Sequence, residues 1–109
     1  MTFDQYQNES RRAAFYPAAG SNLVYPILGL ASEAGEVASK FKKILRDQKG
    51  KMTQDDREAL CAELGDVLWY VAQIATEMNS SLADIAKKNT EKLSSRMARG
   101  VLGGSGDTR

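Results

Sequence analysis

Glu33-Ala34-Gly35-Glu36-Val37 and Glu63-Leu64-Gly65-Asp66-Val67 carry one pattern twice: acid, apolar residue, glycine, acid, valine. Both copies lie where apolar residues recur at three- and four-residue steps, the period of a helix. Residues three apart share a helix face, so each copy presents two carboxylates on one side. Like charges at that spacing repel, and a glycine inside a helix costs roughly 0.8–1.0 kcal/mol relative to alanine. Making both unfavourable choices twice calls for a reason, and a metal site between two packed helices supplies one.

Working outward from the first copy, a helix is expected from about Pro26 to Arg46, with Pro26 in its first turn. Its apolar stripe is Ile27, Leu30, Ala31, Ala34, Val37, Ala38, Phe41 and Leu45. Glu33, Glu36 and Lys40 line one border of that stripe and Gly35 the other. The second copy belongs to a helix from Thr53, an N-cap with Asp56 at N3, to about Asn79. Its stripe is Leu60, Leu64, Val67, Val71, Ile74 and Met78, flanked by Glu63, Asp66, Tyr70, Gln73 and Glu77. Gly65, Leu68, Trp69 and Ala72 widen the apolar surface further. The polar segment 47–52, with Gly50, joins the two helices and favours an antiparallel pair.

Two shorter helices flank this hairpin. Thr2 and Gln5 form a capping pattern for one reaching about Ala14, and a loop from Phe15 to Asn22 holds Pro17, Gly20 and Ser21. Ser81 and Asp84 open the last helix, which ends near Gly100 and turns Leu82, Ile85, Ala86, Asn89, Leu93 and Met97 inward. Residues 101–109 are Gly-rich and read as a flexible tail by composition. The expectation is a single all-α domain over residues 1–109, a four-helix bundle with antiparallel helices. Two long helices with so much apolar surface in a small chain favour a homo-oligomer.

The composition excludes much. The 109 residues carry a net charge of +1, which gives no electrostatic footprint for nucleic acid. No apolar run is long enough to span a bilayer, and no signal peptide precedes the first helix. The single cysteine, Cys61, fits a reducing cytoplasm and reads as a small core or interface residue. There is no histidine. That removes Ser-His-Asp triads, His-zinc sites and the Glu-x-x-His motif of di-iron bundles. Oxygen ligands remain, and they select hard cations such as Mg²⁺ or Mn²⁺.

If the two helices face each other, Glu33, Glu36, Glu63 and Asp66 converge, and four carboxylates in a partly buried cleft need compensating charge. Mg²⁺ bound by carboxylates is usually completed by water and substrate phosphates. Lys40 and Lys43 follow Glu36, and Asn89, Lys92 and Arg96 form one polar edge of the last helix, chemistry that suits a polyphosphate. Tyr16, Tyr25, Trp69 and Tyr70 are candidates to stack on a base, although core or interface packing explains each of them better, Trp69 especially. Either acidic pair alone is commonly a solvated face, and the same holds for the basic edge. The rival to an enzyme is a helical interaction module in which Leu68 and Trp69 meet a partner and the acids confer solubility.

The stretches Gly29–Val37, Glu63–Tyr70 and Asn89-Thr90-Glu91-Lys92-Leu93 with Arg96 resemble the MazG-type members of the all-α nucleoside triphosphate pyrophosphohydrolases, especially short phage and bacterial ones. The family pattern, Glu-Glu-x-x-Glu and then Glu-x-x-Asp, reads here as Ser32-Glu33-Ala34-Gly35-Glu36 and Glu63-Leu64-Gly65-Asp66. The resemblance implies hydrolysis of an NTP or dNTP to the monophosphate and pyrophosphate, with more than one Mg²⁺ or Mn²⁺ per site. It implies metal ligands at Glu33, Glu36, Glu63 and Asp66, and phosphate or sugar contacts at Asn89 and Lys92, with Arg96 and Lys40 beside them. It implies homodimers or homotetramers with sites at subunit boundaries, and a role in the cytoplasm, the host's if the protein is viral. Ser32 stands where the family pattern has its first Glu, which leaves activation of the attacking water to Glu33 or Glu36. The short phage-like members suggest dNTP-pool control, with a lean to purines such as dGTP and dATP. Through this resemblance the tail, too, is expected to order over the nucleotide.

Overall fold

The computed structural model describes residues 1–109. It contains four helices and no strand: α1 (Phe3–Arg11), α2 (Val24–Gln48), α3 (Gln54–Glu77) and α4 (Leu82–Ala98). The helix starts follow local chemistry. Thr2 and Thr53 each accept a hydrogen bond from the backbone N–H three residues on, and Gln5 and Asp56 reach back to complete the capping boxes. Ser81 accepts from the Asp84 N–H at 3.3 Å. Asn22 accepts from the Tyr25 N–H at 3.1 Å, so α2 begins at Val24, two residues before the expected Pro26.

The helix ends differ from expectation by two or three residues. α1 stops at Arg11 instead of Ala14, because the chain turns to bury Tyr16. α2 runs on to Gln48, where Lys49 (φ 53°) and Gly50 (φ 81°) reverse the chain through the left-handed region. α3 ends at Glu77, and Asn79 (φ 55°) makes the corresponding turn.

Successive cross-contacts fix the direction of the α2–α3 pair. Gln48 donates to Asp56, Lys40 lies beside Glu63, and Gly29 lies against Tyr70. As one number falls the other rises, so the helices are antiparallel. α1 and α4 lean on α3 and on each other; neither packs against α2. Gln7 ties these parts together. It donates to Thr76 Oγ1 (3.0 Å) and the Ser80 carbonyl (2.9 Å), and accepts from the Leu82 N–H (2.8 Å).

The inward faces correct the expected stripes. On α2 the residues turned inward are Pro26, Leu30, Glu33, Val37, Lys40 and Ile44, and on α3 they include Leu60, Glu63, Val67, Tyr70, Ile74 and Glu77. These positions alternate three- and four-residue steps, the spacing of a helix-pair seam. The expected stripe members Ile27, Phe41, Leu45, Leu64 and Met78, and Ile85, Leu93 and Met97 on α4, are exposed instead. Cys61 is exposed too. The polar flank therefore faces inward within the chain, while much of the apolar surface faces out. Only 9 of 109 residues are buried. The radius of gyration is 16.8 Å, against about 13 Å for a compact chain of this length.

Most of what is buried gathers at the end of the hairpin near α1. Gln73 is fully buried; it donates to Ser10 Oγ (3.0 Å) and accepts from Arg11 (3.2 Å). Glu77 accepts from the Gly20 and Asn22 N–H groups and from Arg11 (2.8 Å), which pins the loop after α1. Tyr16 then stacks on Tyr25 at 5.1 Å, and Trp69 donates its indole N–H to the Ser10 carbonyl.

Candidate metal centre

Glu33 of α2 and Glu63 of α3 occupy facing positions in the seam, and Asp66 stands one turn beyond Glu63. One carboxylate oxygen from each lies within 4.8 Å of the other two. Glu33 and Glu63 are half-buried and Asp66 is exposed. Burial, a hydrogen bond with Glu63, and the charges of Asp66, Glu63 and Glu36 push the Glu33 carboxyl above its ordinary range. Like charges brought together in this way favour either a shared proton or a cation. One cation is already at hand: Lys40 Nζ lies 3.6 Å from Glu63.

Glu36 behaves differently from the other three acids. It is exposed on α2 and lies outside the three-carboxylate cluster, although its charge is felt at Glu33. Gly35 and Gly65 face open space, with nothing within 4 Å of where a Cβ would stand, so neither is a close-packing point within the chain. That role belongs to Gly29, which the doubled motif does not include. A Cβ there would come within 2.1 Å of the Tyr70 ring. The available signal was a third helical glycine, one turn before Glu33, with no explanation in the repeat.

Because Gly29 lets the ring lie against α2, Tyr70 forms a wall beside the carboxylates. A recess of about 260 Å³ is lined by Tyr25, Leu28, Gly29, Ser32, Glu33 and Tyr70. A second, of about 200 Å³, is lined by Glu33, Asp66, Trp69 and Tyr70. Glu33 and Tyr70 border both, so an aromatic recess adjoins the acids. Trp69 meets Tyr70 edge-to-face at 5.0 Å. Tyr6 of α1 is a further neighbour: burial, and then the charge of Asp66, raise its pKa. Ser32, at the position of the missing acid, faces the aromatic recess.

The donor set suits a hard divalent cation. Three carboxylates converge from two helices, none is a nitrogen or sulfur donor, and one is held toward protonation by its neighbours. The basic edge of α4 lies elsewhere. Asn89 is exposed, while Lys92 (2.8 Å) and Arg96 (3.3 Å) both meet Asp107 of the tail. No hydrogen bond or ion pair joins α4 to Glu33, Glu63 or Asp66 within the chain.

Comparison with known proteins agrees with this chemistry. The family model described as the MazG nucleotide pyrophosphohydrolase domain matches residues 26–100. That span takes in α2, α3 and α4 and leaves α1 outside. The Gene 37 protein of Mycobacterium phage L5 is 49% identical over 114 aligned residues, which cover all of both chains. No solved structure matches.

Proposed function

The chain belongs to the MazG nucleotide pyrophosphohydrolase domain family, and from that premise we propose that it hydrolyses nucleoside triphosphates, deoxy forms foremost, to the monophosphate and pyrophosphate. The observation that carries this reading is the convergence of Glu33, Glu63 and Asp66 beside an aromatic recess. These three side chains hold Mg²⁺ or Mn²⁺, with Glu36 completing the shell as substrate arrives. A bound divalent cation supplies charge neutralisation and polarises a phosphoryl oxygen. The residues of the chain do the rest. Glu33 and Glu36 orient the attacking water and take its proton as it adds to the α-phosphorus, and pyrophosphate departs. Tyr70 and Tyr25 flank the base, and Ser32 offers a hydroxyl at the same recess. A recess of this size beside two tyrosines supports a purine.

Asn89 and Lys92 contact the phosphates or sugar, and Lys40 moves from Glu63 toward the triphosphate once a cation sits on the acids. Because no hydrogen bond or ion pair joins α4 to these acids within the chain, its edge serves the acids of a second copy. The outward apolar residues Leu28, Phe41, Leu64 and Leu68 support a homodimer or homotetramer. No helix is long and apolar enough to cross a membrane, and the relative is a mycobacteriophage protein; we place the activity in the host cytoplasm, in control of the dNTP pool.

Screening NTPs and dNTPs for pyrophosphate release with Mg²⁺ and Mn²⁺ tests the reading. Release from at least one dNTP is expected, with Glu33→Gln and Asp66→Asn inactive but still assembled. Wild-type rates from either variant would sink the metal assignment, and no release from any nucleotide would sink the activity.

A further inference from the structure

Residues 101–109 are ordered by side chains that reach backbone carbonyls. Arg109 donates to the carbonyls of Leu102 (3.0 Å), Gly103 (2.9 Å) and Gly106, and Arg99 donates to the Arg109 carbonyl (2.6 Å). Gly104 (φ 94°) and Gly106 (φ 88°) permit the tight path. Asp107 fastens the knot to the side of α4: Arg96 donates to the Asp107 carbonyl at 2.6 Å and lies 3.3 Å from the carboxylate of the same residue. That oxygen also receives Lys92 Nζ at 2.8 Å.

Burial separates the two cations. Arg96 is 5% exposed, so an incoming phosphate cannot reach its guanidinium while the knot is closed. The Lys92 side chain is 37% exposed and keeps an open side. Two cations on one carboxylate oxygen can mean an anion site filled by the chain's own acid, but such a site needs both cations accessible. Here one is sealed, and it grips the backbone as well as the carboxylate. Arg96 is therefore an anchor, and what it anchors is the acid beside Lys92.

We propose that Asp107 is a positioning residue that holds the Lys92 ammonium for phosphate, with Arg96 fixing Asp107 and contacting no substrate itself. The proposal rests on the reading above that Lys92 meets the triphosphate. Asp107 is itself 80% exposed, so water screens its repulsion of an incoming anion. Ordering a four-carbon side chain before binding is the larger effect.

Binding of inorganic tripolyphosphate to the full chain, without metal, measured by calorimetry, tests this apart from turnover. Asp107→Ala is expected to weaken binding about fivefold, the scale of one immobilised side chain. In a Lys92→Met background the same substitution is expected to change nothing, and Asp107→Glu to restore part of the loss. Arg96→Ala is expected to match Asp107→Ala and to speed amide exchange in residues 101–109. If Arg96→Ala fails to fold, Arg109→Ala, which loosens the same knot, replaces it. Equal weakening in the Lys92→Met background overturns the proposal, since Asp107 would then act elsewhere. Tighter binding by Asp107→Ala overturns it in favour of a latch, and failure of the wild type to bind tripolyphosphate overturns it outright. If the cycle behaves as expected while no nucleotide is hydrolysed, only the pyrophosphohydrolase reading falls.

Discussion

Replacing Gly29 with alanine sets two measurable effects against each other. The added methyl would stand 2.1 Å from Tyr70 Cε1, 2.4 Å from Cζ and 2.5 Å from Cδ1, where ordinary contacts between carbons are about 3.5–4.0 Å. The ring must retreat by more than an ångström, and the Trp69 ring already packs against it edge-to-face at 5.0 Å. Overpacking of this kind costs about 1–3 kcal/mol. A methyl 2.1 Å from a ring carbon puts that cost in the upper half of the range, about 2–3 kcal/mol. Alanine recovers about 0.8–1.0 kcal/mol of helix propensity, so the clash wins by roughly 1–2 kcal/mol. For a chain of this size that lowers Tm by about 4–9 °C. Thermal and urea unfolding at fixed protein concentration measure it. Gly35→Ala and Gly65→Ala are the controls: both point into open space within the chain and should gain about 0.8–1.0 kcal/mol each. A Gly29→Ala protein as stable as wild type would refute the account of Tyr70 as a fixed wall. A loss at Gly35 or Gly65 would show that a second copy's backbone sits there.

Three other outcomes are expected. Glu77 lies below its ordinary pKa, chiefly through the Asn22 backbone N–H, with Gly20 and Arg11 adding to it against opposing burial. Its stabilisation is therefore present above the unfolded-state value of about 4.3 and lost as pH falls through the lower folded value. Urea midpoints of wild type and Glu77→Gln should converge as pH falls below about 5 and on through the lower folded value, and parallel profiles would contradict this. Mn²⁺ should raise the wild-type Tm and leave Glu33→Gln unmoved; an equal shift in both would remove Glu33 from the ligand set. Chelation of the metal should abolish pyrophosphate release, and re-addition of Mn²⁺ should restore it.

Helix starts were legible because a cap is a local bond: Thr2 with Gln5, Thr53 with Asp56 and Ser81 with Asp84 depend on residues three apart. The acidic repeat was legible for the same reason, since shared faces follow from helical spacing. Facing was not. Apolar residues were assigned inward by majority, yet the seam holds Glu33, Lys40, Glu63 and Tyr70 while Phe41, Leu64 and Met78 point out. A single chain whose apolar surface exceeds its own core does not reveal from periodicity which stripe it keeps for itself. Glu36 shares a face with Glu33 but lies outside the three-carboxylate cluster, a difference that spacing along one helix does not record. The tail's composition suggested flexibility, and what orders it is arginine reaching carbonyls across several residues, which no local pattern records. Gly29 escaped notice because its reason is a ring forty-one positions away.

The outward leucines have a consequence for dosage. With a second copy as the cover proposed above, burial of Leu28, Leu64 and Leu68 becomes a mass-action term, so the folded fraction rises with the amount of chain synthesised. At low copy number most chains would be incompletely folded and open to proteolysis. Past a threshold set by the dissociation constant, folded protein and hydrolytic capacity would appear together, more steeply than in proportion to synthesis. With the activity proposed above, the protein would then stay quiet until its own expression crossed that threshold, with no separate regulator required.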